Sequence, residues 1–147
     1  KGKFGEETKK VNKYLWLFIN EKDKKLQILE GDLNEVKKQG KVISIYAEKE
    51  IMKLVEIPAI SLKIGEHIFP AYNITNHESA CGNILSEKNN QTAVMFTIKG
   101  DVVKFSFRSK AGQNLSALDL AKILGGNGHV FAAGARVPLS EFMQMIV

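Results

Sequence analysis

At 147 residues, with 44% hydrophobic and 25% charged residues, the chain has the composition of one globular domain, or of a small domain with an extension. No apolar run approaches the ~20 residues of a membrane span, and the charged N-terminus Lys1-Gly-Lys-Phe-Gly-Glu-Glu7 lacks the apolar core of a secretory signal. The net charge of +5 is modest and there is no basic run, which argues against tight, sequence-independent binding of duplex nucleic acid and leaves a nucleotide or short oligonucleotide open.

Cys81 is the sole cysteine, so no internal disulfide can form, and one free thiol fits a reducing cytoplasm. It reads as a small buried hydrophobe on a helix. The absence of an initiator Met is consistent with a fragment.

In chain order, Val11, Leu15, Phe18 and Ile19 recur at helical spacing between Thr8 and Asn20, and Tyr14, Trp16 and Leu17 widen the apolar face. Glu21 to Glu30 reads as a turn and a short helix containing Leu26, Ile28 and Leu29. Asp32-Leu-Asn-Glu35 resembles a capping box. It opens a helix of roughly six turns whose stripe is Leu33, Val36, Gly40, Ile43, Ala47, Ile51 and Leu54, ending before Pro58. Neither helix carries recognisable chemistry. The periodicity changes at Ile57-Pro58-Ala59, which divides a helical connector (1–57) from a second domain (58–147).

Ser61 to Gly65 reads as a loop or short extended segment, and His67 to Ile74 as the first strand of the second domain, with Pro70 at an edge or entry. Thr75-Asn-His-Glu78 predicts a second capping box and a helix to about Glu87, with Ala80, Cys81, Ile84 and Leu85 on one face. Thr92 to Ile98 is nearly all apolar, as in a strand covered on both sides. Lys99-Gly-Asp101 is a hairpin turn. Val102 to Ser109 then alternates: Val103, Phe105 and Phe107 face one way, Lys104, Ser106 and Arg108 the other. Asn114 caps a helix to Leu124, and Gly125 stops it. Ala135 to Pro138 is a last short strand, and Ser140 caps a terminal helix. The expected fold class is α/β (α+β): a small mixed sheet of about four to five strands with flanking helices.

Chemistry concentrates in Phe105-Ser-Phe-Arg-Ser-Lys110 and Gly125-Gly-Asn-Gly-His-Val-Phe-Ala-Ala-Gly134. Glycines let a backbone approach a ligand closely, and successive N–H groups can form an anion nest. An arginine adds a planar fork suited to phosphate. Arg108 and Arg136 are the only arginines; every other fixed cation is Lys. Because the glycine loop follows a helix C-terminus, the helix dipole does not favour an anion there. Nest N–H groups, Arg108 and His129 would have to hold it. Ala132, Ala133 and Gly134 read as small residues that shape the pocket.

The same residues resemble the signature of the DHH-associated domain, first subtype, the C-terminal lobe of DHH-family phosphoesterases. The family pattern has four consecutive glycines before the histidine. Here the third is Asn127, a residue that tolerates the left-handed region better than other non-glycine residues. The resemblance implies substrate-phosphate binding by Arg108, Ser109, Gly125, Gly126, Asn127, Gly128 and His129. It implies manganese or magnesium only for a separate catalytic lobe, whose Asp-His-His motif this chain lacks. His67, His77 and His129 are not spaced with carboxylates as a metal cluster, so no catalytic or metal residue is expected here. The expected partners are a nucleotide or short single-stranded oligonucleotide and the catalytic DHH lobe, with no membrane. The alternative is a stand-alone nucleic-acid-binding or oligomerisation domain, with the Leu33–Leu54 stripe as a homodimer face.

Overall fold

The computed structural model describes residues 33–147. The expected helices at residues 8–20 and 21–30, and the Asp32 end of the first capping box, lie outside them. Helix α1 (Leu33–Leu54) buries Val36, Gly40 and Ala47 of the expected stripe and ends before Pro58. The chain divides into two units within this helix, after Glu50. The second unit, Ile51–Val147, carries the sheet.

That unit runs β1 (Ile60–Ile64), β2 (His67–Asn73), α2 (Glu78–Asn89), β3 (Ala93–Lys99), β4 (Val102–Arg108), α3 (Ala117–Ile123), β5 (Asn127–His129), β6 (Ala132–Pro138) and α4 (Leu139–Met145). The strands form one six-stranded mixed sheet in the order β1-β2-β3-β4-β6-β5. Only the β2–β3 pair is parallel, over Ala71–Asn73, with α2 as its crossover. Pro70 stands just outside that pairing, opposite Ser61 of β1.

The sheet is α/β as expected, with more strands than the sequence suggested. Of the two readings of Ser61–Gly65, the extended one forms: Leu62 and Ile64 alternate inward with zero exposure, making β1 and demoting the His67 strand to second. Part of the glycine loop is also strand, β5, paired with β6. Strand β6 starts at Ala132 rather than Ala135.

Alternation places two cores on the two faces of the sheet. On one face, Phe69, Val94, Val103, Phe105, Phe107, Ala133 and Ala135 meet Leu120 and Ala121 of α3 and Phe142 and Met145 of α4. Phe105 stacks on Phe107 and touches Phe142. On the other face, Tyr72, Ala93 and Met95 meet Cys81 and Leu85 of α2 and Val55. Burial raises the pKa of the Cys81 thiol, in keeping with an inert packing role.

Caps differ from expectation. No capping box forms at α2: its N-cap, His77, adopts left-handed backbone and makes no side-chain capping hydrogen bond, while Cys81 N–H donates to His77 O. Pro138, not Ser140, is the N-cap of α4. Helix α3 is capped by Ser116 rather than Asn114, in a full capping box with Asp119. Those bonds from Ser116 lower the Asp119 pKa. The stabilisation is thus present above the ordinary carboxylate range and is lost as pH falls through the depressed folded value. Ser116→Ala should lower stability by about 1 kcal/mol at neutral pH, read from urea midpoints, with the difference shrinking in acid.

Candidate functional site

Helix α2 covers one face of the sheet only as far as β4. Beyond it, among the described residues, the same face of β6 and β5 is open. Directly paired residues on neighbouring strands point to one side, so the register fixes which side chains share this open face. Arg108 of β4 is opposite Ala132 of β6, which is opposite His129 of β5. Arg108, Ala132 and His129 therefore form one row, with Arg108 and His129 about 10 Å apart at their Cα positions. The next row is Ser106, Gly134 and Asn127. Beyond it, Lys104 is opposite Arg136. Ala132 and Gly134 give the face a shallow floor. An open depression of about 360 Å³ lies at its far end, bordered by Lys104, Gly125, Gly126, Gly134 and Arg136.

Arg108 is half-buried and braced. Its Nη1 donates to Phe107 O (2.8 Å) and its Nη2 to Ser79 Oγ of α2 (3.1 Å). Its stem lies under Gly82, where an added Cβ would meet Arg108 Cγ at 2.5 Å. The helix can lie this close to the strand only because Gly82 has no side chain. Glu78, also on α2, accepts from Ser106 Oγ (3.3 Å) and pairs with Lys104 (3.8 Å).

Several amides of the glycine loop already have partners within the fold. Helix α3 ends in a Schellman motif: Gly126 N–H donates to Ala121 O (2.7 Å) and Gly125 N–H to Lys122 O (3.1 Å), with Gly125 left-handed at φ 74. Gly128 N–H donates to Asn127 Oδ1 (2.9 Å). Three amides of the expected nest are thus already bonded. The remaining glycines serve close approach. A Cβ on Gly126 would meet Gly134 O at 2.1 Å, and one on Gly128 would meet Ala133 Cα at 2.6 Å. Asn127 lies in β5 and not in the left-handed region, so a non-glycine residue fits there.

Two other expected site residues lie elsewhere. Ser109 is only 4% exposed. Its hydroxyl donates to Val130 O (3.0 Å) and accepts from Ala117 N–H (2.8 Å), while its own N–H donates to Phe131 O (3.1 Å). It ties the end of β4 to the β5–β6 turn and to α3, and has no hydroxyl capacity aimed at the open face. Ala133 points into the core opposite Phe107.

The DHHA1 domain profile matches residues 70–147, more than half of the sequence. The chain belongs to the DHHA1 domain family. DHHA1 domains are associated with DHH-family phosphoesterases and usually accompany a catalytic DHH domain. No curated protein matches the chain. Among solved structures, it is similar to the crystal structure of an uncharacterized protein from Helicobacter pylori G27, at 14% identity and a TM-score of 0.43. That match covers 73% of this chain but only 28% of the other, so the chain spans little more than a quarter of that protein's length.

The matched DHHA1 region holds every residue of the open face. Sequence reasoning missed three contributors to it. Gly82 left a signal, a glycine inside the apolar stripe of a helix. Lys104 was placed on the Arg108 side by alternation, and Arg136 stood out as the second arginine, yet nothing local linked them. Among the described residues, no three His, Cys, Asp or Glu side chains come together to hold a metal ion. The described part of this DHHA1 chain does not fit the metal pair of a DHH lobe. No helix among the described residues is long and apolar enough to cross a membrane.

Proposed function

We propose that this DHHA1 chain is the substrate-holding lobe of a DHH-family phosphoesterase. It grips a phosphate of a nucleotide or short single-stranded oligonucleotide, while a catalytic DHH lobe supplies the divalent ions and the hydrolysis. The observation that carries this reading is the Arg108–Ala132–His129 row on an open sheet face. A guanidinium already oriented by Phe107 O and Ser79 loses little freedom on binding, and its remaining N–H groups suit phosphate oxygens. His129, on an exposed edge strand, adds a second donor from the opposite side of Ala132. The alanine between them leaves room for the ligand.

Titration calorimetry with mononucleotides, short oligonucleotides and cyclic dinucleotides tests this. Arg108→Ala should weaken binding by roughly 1.5–3 kcal/mol, the worth of a charge-assisted hydrogen bond, and His129→Ala by less. Unchanged affinity in both variants removes the proposed roles. The chain alone should show no manganese-dependent phosphodiester hydrolysis, and turnover that follows the purified protein overturns the lobe assignment.

A further inference from the structure

Resting on that reading, we infer that Lys104 and Arg136 form a second anion subsite on the same face, so that the ligand is an oligonucleotide and not a mononucleotide. Arg136 is exposed, and its side chain has no hydrogen bond or ion pair among the described residues. It borders the 360 Å³ depression together with Lys104, its cross-strand partner. Gly125, Gly126 and Gly134 contribute no side chains to the border, which Phe105 and Ala135 complete.

The spacing specifies the ligand. Arg136 lies four residues along β6 from Ala132, or about 13 Å from the Arg108–His129 row at the rise of a strand. With Arg108 held by Phe107 O and by Ser79 of α2, that backbone separation favours one phosphate at each row over a single phosphate shared by both. The separation is of the order of that between non-adjacent phosphates in an extended single strand. The row between them discourages an anion. Ser106, Gly134 and Asn127 carry no cation, and the Glu78 carboxylate sits beside Ser106. Glu78 also shares the Lys104 ammonium, which leaves Arg136 as the main cation of the second subsite. The face thus offers cations at its two ends and a neutral-to-acidic floor between them. A strand can cross that floor with sugar and base over Gly134 and a phosphate at either end.

The test is equilibrium binding of the full chain to a mononucleotide and to single-stranded oligonucleotides of increasing length, at several salt concentrations. Arg136→Ala should leave the mononucleotide dissociation constant unchanged and weaken the longer ligands by roughly five- to tenfold. It should also flatten their log–log salt slope by about 0.7, the share of one single-strand phosphate contact. Arg108→Ala should weaken every length. Equal affinities of wild type and Arg136→Ala at all lengths overturn the second subsite, as does an equal loss on the mononucleotide. In both cases an effect of Arg108→Ala keeps the first row intact. If Arg108→Ala changes nothing, or wild type binds no ligand of the series, the first row fails and the second subsite with it.

Discussion

Gly126→Ala is expected to destabilise the domain by roughly 3 kcal/mol, among the larger effects of a single methyl group. The added Cβ would stand 2.1 Å from Gly134 O and 2.7 Å from Ala135 Cα. Both obstacles are backbone of β6, a strand paired on both sides, so no rotamer change relieves the clash. Relief requires moving β5 and the end of α3 away from the sheet. That in turn strains the bond from Gly126 N–H to Ala121 O and shifts His129 relative to Arg108. Gly125→Ala is the control. Gly125 also sits in the turn, with left-handed backbone, but a Cβ there meets nothing within 4 Å. Its cost is conformational only, about 1–2 kcal/mol. Urea denaturation of the two variants separates the mechanisms. If Gly125→Ala proves the more damaging, the close packing of the turn on β6 is not what requires the glycine.

That contrast shows how far the loop could be read from sequence. Gly125 was legible because a helix stop has a local signature, a glycine just past the last periodic residue. Gly126 and Gly128 were not, because their reason is a strand contributed later in the chain. A run of glycines then looked like an anion nest, when two of its amides close a helix and a third bonds to Asn127. Strand β3, a nearly continuous apolar run, and β4, a clear alternation, were legible almost to the residue. Strand β1 was obscured by its shortness, and β5, whose three residues are all exposed, had no hydrophobic pattern to betray it.

The open face is a matter of register more than of motif. Alternation along β4 put Lys104, Ser106 and Arg108 on one side, which is local. That β6 lies between β4 and β5, and so brings His129 and Arg136 to the same side, is topology, and no spacing in the sequence carries it. The partial cover by α2 is likewise tertiary. One missing side chain, at Gly82, decides how closely that helix approaches the Arg108 stem. The family resemblance grouped together residues that the fold uses in different ways. Arg108 and His129 lie on the open face, Ser109 is a brace, and Ala133 is core.

Ser109→Ala tests that division of roles. The hydroxyl bridges Ala117 N–H at the start of α3 and Val130 O in the β5–β6 turn, a carbonyl that also accepts from Leu118 N–H (3.4 Å). Removing it leaves Ala117 N–H without this partner, while Val130 O keeps its bond from Leu118 N–H, in a region where Ser109 is almost fully buried, which should cost roughly 1–3 kcal/mol. The Ser109 N–H bond to Phe131 O does not need the side chain and remains, so the turn should loosen but not detach. Nucleotide affinity should then fall modestly, because His129 immediately precedes that turn and loses part of its fixed position relative to Arg108. A hydroxyl that touched the phosphate itself would behave in the opposite way. Affinity would drop sharply while the urea midpoint stayed near that of wild type, and Ser109→Ala would resemble Arg108→Ala in calorimetry. Measuring stability and affinity on the same preparation therefore distinguishes a brace from a ligand contact. A strong loss of binding without loss of stability would return Ser109 to the binding face.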